Sequence, residues 1–142
     1  MDAIRQDTII IRDDADALVL VDPRSGRLTL RWRWAVPGET YRSVLLEVAE
    51  AISKHELVSW MSDSRQMGAI LHADTEWTMD ELTPRLKGTS LKRVAVLNSS
   101  DFIHQMAAGR MAAEADPSVP YDVLFFDAAD EAERWLKEVE RS

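Results

Sequence analysis

The sequence has no cysteine. That one absence removes disulfide staples, thiolate catalysis, cysteine-type zinc sites and iron–sulfur clusters together. Clustered positive charge is missing too. Lys and Arg total 17 against 25 Asp and Glu, a net charge of −8. Non-specific binding to nucleic acid or to an anionic lipid surface needs clustered cations, so the charge argues against both. No apolar run approaches the roughly 20 residues needed to cross a bilayer. The opening residues, MDAIRQDTIII, lack the basic segment, apolar run and small-residue cleavage site of a secretory signal. The expectation is a cytoplasmic, soluble, bacterial-style protein.

Catalytic signatures are equally scarce. There is no G-x-S-x-G elbow, no glycine-rich phosphate loop and no H-E-x-x-H. His55, His72 and His104 share no ligand spacing, and Glu47 and Glu50 on one helix face have no third ligand. A serine nucleophile needs a base and an orienter within reach. Ser64 with His72 or His104 and an Asp is one such set. The sequence therefore predicts no enzyme, no metal and no cofactor.

What is present is a regular alternation of elements over 142 residues, a length suited to one domain spanning 1–142. Hydrophobic residues at 46% suffice for a core. Thr8–Arg12 and Ala17–Val21 read as short strands. Asp22-Pro23-Arg24-Ser25-Gly26 supplies turn chemistry. From Arg27 to Trp34 the pattern has period two: Leu28, Leu30, Trp32 and Trp34 on one face, Arg27, Thr29, Arg31 and Arg33 on the other. The arginine face suits a solvated sheet edge. Tyr41, Val44, Leu45, Val48 and Ile52 then repeat at helical spacing within Glu39–His55.

The chain is organised around the next stretch. Leu57–Ser62 is a buried strand that ends in a polar elbow, Asp63-Ser64-Arg65-Gln66. Beyond it, Thr78-Met79-Asp80-Glu81 has capping-box spacing, so a helix is predicted from Asp74 or Thr78, kinked or restarted at Pro84 and ended by Lys87-Gly88. Lys92–Asn98 is a strand, followed by an N-cap cluster and a helix from Asp101 to Ala115. Tyr121–Phe126 is a continuous apolar run, as in a strand buried on both faces. Asp127 is placed as the N-cap of a final helix, Ala128–Glu140, whose Ala132, Trp135, Leu136 and Val139 face inward.

The order is β-β-β-α-β-α-β-α-β-α. It defines an α/β protein with antiparallel strands first, then parallel βα units. Three stretches resemble the SpoIIAA-like fold, the group of STAS (anti-sigma-factor antagonist) domains and the related CRAL-TRIO-like bacterial proteins. Trp60–Ile70 is similar to the Asp-Ser-Ser-Gly-Leu-Gly segment of the antagonists. Leu91–Leu97 is similar to the group's R-x-A-V strand. Val123–Asp127 with Glu131–Leu136 resembles its F-x-x-x-x-E-A-x-x-W-L ending. The resemblance implies a mixed SpoIIAA-like sheet with helices mainly on one face. It also implies that Ser64 is a phosphorylation site in a loop that docks another protein. Arg65 stands where the second serine of the motif is found, and Gln66 where glycine is found, which counts against the phospho-switch.

In open α/β sheets ligands gather at the carboxyl ends of the parallel strands. The binding residues read there are Asp63, Ser64, Arg65, Asn98, Ser99 and Asp127. Helix capping is the plainer role for Ser99, Ser100 and Asp127, and explains Asp63 and Arg65 less well. Two functions follow. One is a non-catalytic regulatory or protein-interaction module of STAS-like type, binding through the loop after strand 57–62. The other is a carrier of a small apolar or lipid-like ligand, prompted by Met67, Ile70, Leu71, Trp77 and Met79 beside the elbow. Five tryptophans are many for this length. Trp32 and Trp34 offer a surface for a homodimer.

Overall fold

The structure, a computed structural model, describes residues 7–67, 76–98 and 120–141. The antiparallel meander consists of β1 (Ile9–Asp13), β2 (Ala17–Asp22) and β3 (Arg27–Trp32). Helix α1 (Gly38–His55) leads to β4 (Ser59–Asp63). A π-helical turn, Thr78–Leu82, runs into α2 (Thr83–Lys87), and then come β5 (Arg93–Leu97), β6 (Asp122–Phe126) and α3 (Ala129–Lys137). Pro84 sits in the first turn of α2, directly after the π-helical turn, where the regular α-helical bonding pattern is already interrupted. Thr78 does not open a capping box, because Trp77 before it is already helical. The predicted helix from Asp101 to Ala115 lies outside the described residues.

The six strands stand in the sheet in the order in which they occur in the chain, and β3, β4, β5 and β6 are parallel. Each new parallel strand is added on the same side of the last. Crossovers of one hand then place their helices on one face. Helices α1 and α2 obey this. They cover a core of Val19, Val21, Leu28, Leu30, Trp32, Val44, Val48, Ile52, Trp60, Leu86 and Val94. Burying each large aliphatic side chain is worth roughly 1.5–3 kcal/mol. Helix α3 follows β6, the last strand among the described residues. It packs on the opposite face, where Ala132 and Leu136 meet Met61 and Ala95.

The arginine face of β3 is not a sheet edge, since β3 lies between β2 and β4. Arg27 is instead the centre of an ion cluster under α3. It donates to Glu140 through Nε at 2.6 Å and to Glu133 through Nη1 at 2.6 Å, and Ser59 Oγ donates to Glu140 at 2.6 Å. Burial opposes the Arg27 charge, but the Glu140 and Glu133 hydrogen bonds outweigh it and hold the guanidinium more firmly protonated than usual. Nearby, Gly26 has φ +82°, and its carbonyl accepts from Val58 and Ser59. A β-carbon there would lie 3.1 Å from Val58, so the β2–β3 turn requires glycine.

Three expectations fail for physical reasons. Trp32 is only 1% exposed and stacks on Tyr41, with ring centroids 5.5 Å apart, so it cannot form a homodimer surface. Trp34 lies beyond the end of β3, is 47% exposed, and donates to Asp16. β6 is not buried on both faces. It is the last strand of the described sheet, and Val123 and Leu124 are 43% and 46% exposed.

Candidate functional site

All five residues of β4 are buried, as befits a central strand flanked by β3 and β5 and covered on both faces. Its register places Asp63 beside Arg31 on one side and Leu97 on the other. The strand hydrogen bonding persists one residue further, with the Ser64 N–H donating to the Leu97 carbonyl at 2.8 Å. The chain then turns, and Met67 N–H donates to the Ser64 carbonyl at 3.1 Å.

Asp63 holds this turn. Its Oδ1 accepts from the Arg65 backbone N–H at 3.1 Å and from Arg65 Nε at 3.0 Å, while Oδ2 accepts from Arg65 Nη2 at 2.8 Å. A carboxylate bonding the backbone two residues on is a common turn device. A two-pronged guanidinium contact is the strongest form of the pair. Arg31 Nε approaches the same Oδ2 at 3.7 Å. The Asp63 side chain is 10% exposed, whereas those of Arg65 and Arg31 are 45% and 55% exposed.

The electrostatics follow from that packing. Burial disfavours the Asp63 carboxylate, but the hydrogen bonds from Arg65 and the charges of Arg65 and Arg31 outweigh it, holding the carboxyl below its usual range. The hydrogen bond to Asp63 in turn holds Arg65 more firmly protonated. At neutral pH the elbow thus carries one carboxylate and two guanidiniums.

The other sequence-predicted residues fall as follows. Ser64 is 5% exposed and Asn98 is 5% exposed. Asn98 N–H donates to the Phe126 carbonyl at 2.9 Å. The β4–β5–β6 register aligns Asp63, Leu97 and Phe126, so Asp63, Asn98 and Asp127 do share one rim. Asp127 is not the cap of α3: that position is held by Ala128, with no side-chain cap bond. Ser99 and Ser100 lie outside the described residues, as do His72 and His104. Arg31 was missed as a site residue. Its strand alternation put it on the right face, but its meeting with Asp63 depends on the parallel β3–β4 register. Among the described residues no group of three His, Asp or Glu is placed to hold a metal ion. No described helix is long and apolar enough to cross a membrane.

A mixed sheet built this way, with a polar elbow at the carboxyl end of its central strand, defines the SpoIIAA-like class of α/β domain. A model of the SpoIIAA-like family matches residues 27–137, and the chain belongs to that family. Among solved structures, it is similar to an uncharacterised protein of the DUF3478 family with a SpoIIAA-like fold from Shewanella loihica PV-4. That similarity is 18% identity over 96% of this chain and 98% of the other, with a TM-score of 0.51. No curated protein matches it.

Proposed function

We propose that this chain is a non-catalytic regulatory or protein-interaction module of STAS-like type, docking its partner through the elbow after β4. The observation that carries this is the division of labour at Asp63. Its oxygens are spent on Arg65 and the turn backbone, which orders the loop, while the two guanidiniums remain half open to solvent. A carboxylate so tied, and held ionised, has no proton to give and no free lone pair aimed at a substrate. Arg65, ordered yet half exposed, is suited to recognition because little of its side-chain entropy is left to lose, and Arg31 stands exposed beside it. Ser64 at 5% exposure needs the turn to open before a kinase can reach it, so recognition here rests on the arginines.

The test compares affinity capture from the native host by the wild-type chain and by Arg65→Glu and Arg31→Glu, with intact-mass measurement of Ser64. A partner held by wild type and lost from both variants supports the reading. A partner held equally by all three overturns it.

One observation favours a second reading, the carrier of a small apolar ligand. The indole Nε1 of Trp60 is buried in the core and has no hydrogen-bond partner among the described residues. A buried unmet donor costs roughly 1–3 kcal/mol, and a ligand carrying an acceptor atom would satisfy it. Met67, in the same core cluster, and half-buried Trp77 flank the region. Of the remaining residues read for that pocket, Ile70, Leu71 and the Met79 side chain lie outside the described residues. Organic extraction of the protein as purified, followed by mass spectrometry, checks the reading. An acceptor-bearing apolar compound at near-equimolar amount, depleted in Trp60→Phe, supports it; clean extracts remove it.

A further inference from the structure

Among the described residues, two guanidiniums meet one carboxylate at the Arg31 side of the elbow. Arg65 and Arg31 converge on the single oxygen Oδ2 of Asp63, at 2.8 and 3.7 Å. One carboxylate neutralises one guanidinium, so among the described residues within reach of Arg31 a positive charge remains, on a chain whose net charge is −8; Asp127 stands on the same rim but at the far strand, β6. Arg31 makes no hydrogen bond to a described residue, and its side chain is 55% exposed. By contrast, the neighbouring Arg33 is already satisfied by Asp13 at 2.8 Å and the Asp14 carbonyl at 2.6 Å. Arg12 is satisfied by Glu47 and Asp14.

The surface next to Arg31 carries an apolar strip, bordered by Asp13, which pairs with Leu18 and accepts from Arg33. Arg31 pairs across the sheet with Leu18, Leu20 pairs with Thr29, and Ile10 with Leu20. These residues lie on the face opposite the α1–α2 core, to one side of α3, which covers β4 and β5. Leu18 and Leu20 are half-buried and Ile10 is 54% exposed. A cation at the end of a short apolar strip calls for a ligand with the reverse order of features.

We infer that the partner docked at the elbow presents a carboxylate side chain to Arg31 and Arg65, followed by apolar side chains that lie on Leu18, Leu20 and Ile10. The occupant is an acidic–apolar segment of another protein. Charge complementarity selects it: the surplus guanidinium attracts a carboxylate, and Arg65 is already fixed by Asp63, so part of the ordering cost is met before binding. This inference rests on the elbow being the docking site, and it adds the chemical class of what docks.

The probe is a capped synthetic peptide of alternating Glu and Leu, its control the same peptide with Gln for Glu, each titrated into 15N-labelled full-length protein. Inorganic phosphate is a third titrant. The expected result is a saturable shift of the Arg31 and Arg65 Nε signals together with the Leu18 and Leu20 amides, produced by the Glu peptide and not by the Gln peptide. Arg31→Gln weakens that binding by roughly tenfold or more, and Arg33→Gln leaves it unchanged. Equal binding of the Gln peptide, shifts confined to other arginines, or saturable binding of phosphate but not of the Glu peptide overturns the acidic-segment inference. If these titrations fail while Arg65→Glu still loses the captured partner, the docking reading stands and only the partner class falls. If both fail, the elbow is not the docking site.

Discussion

A single carboxylate sets the character of the elbow. Asp63 is buried, yet it stays ionised because Arg65 and Arg31 stabilise the charged form more than burial penalises it. A carboxyl held below its unfolded value contributes stability that is fully present above the unfolded pKa and is lost as pH falls through the folded one. Asp63→Asn should therefore cost about 1–2 kcal/mol at neutral pH, the scale of charge-assisted hydrogen bonds. The same variant should flatten the acid limb of the stability curve below about pH 4, where Asp63 itself begins to take up a proton when unfolded. Urea unfolding at a series of pH values checks both. A variant whose loss is the same at pH 3 as at pH 7 would show that Asp63 is not the titrating anchor. The polar elbow containing Asp63 and Arg65 was legible in the sequence, but their side-chain pairing was not, because it depends on the turn's geometry. The Arg31 contact was not, because it exists only once β3 and β4 pair in parallel register.

Among the elements, α3 is the one whose placement depends most on charge. Only Ala132 and Leu136 of its nine residues are fully buried. Its hold on the sheet is extended by Arg27 with Glu133 and Glu140, and by Arg93, which donates to Glu138 at 2.6 Å and lies 4.7 Å from the Trp135 ring. The Glu140 side chain is 6% exposed, so removing Arg27 strands a buried anion. Arg27→Met should destabilise by about 3–5 kcal/mol. The double change Arg27→Met with Glu140→Gln should cost less than the sum of the single changes, because the second removes the stranded charge. Strict additivity in the urea midpoints would contradict the coupling. Sequence patterns reached β2, β3 and α1 to within two residues, because period-two and helical spacing are local signals. They misjudged β6, because Val123 to Phe126 forms the same apolar run whether the strand lies at the centre or at an edge. They also carried the β3 alternation through to Trp34, although the strand stops at Trp32.

For the molecule as a whole, the sheet has a sheltered middle and two different flanks. β3, β4 and β5 are paired on both sides. β1 carries a register break between Ile10 and Arg12, and β6 leaves Val123 and Leu124 part-exposed. Native-state hydrogen exchange should rank amides accordingly: slowest in β3 and β4, and faster in β1 and β6, with opening energies well below the global value at both flanks. Uniform protection across all six strands would count against this ordering. The family assignment was readable before any coordinates, because the element order and the Trp135-containing ending are spread along the chain. The charge arrangement at the elbow was not, since it arises from three residues on two strands and a turn.

The coincidence of spatial and chain order has a consequence for biosynthesis. As the polypeptide leaves the ribosome, each described strand finds its neighbour already made, so the sheet can be laid down in the direction of translation without waiting for distant segments. The exception is the clasp of Glu133 and Glu140 on Arg27. Until those glutamates emerge, Arg27 and the Ser59 hydroxyl stand at the head of a nearly finished sheet without their partners. A stretch translated after every described strand is thus the one that seals the first residue of β3, and a chain halted before Glu140 would leave that cation uncovered.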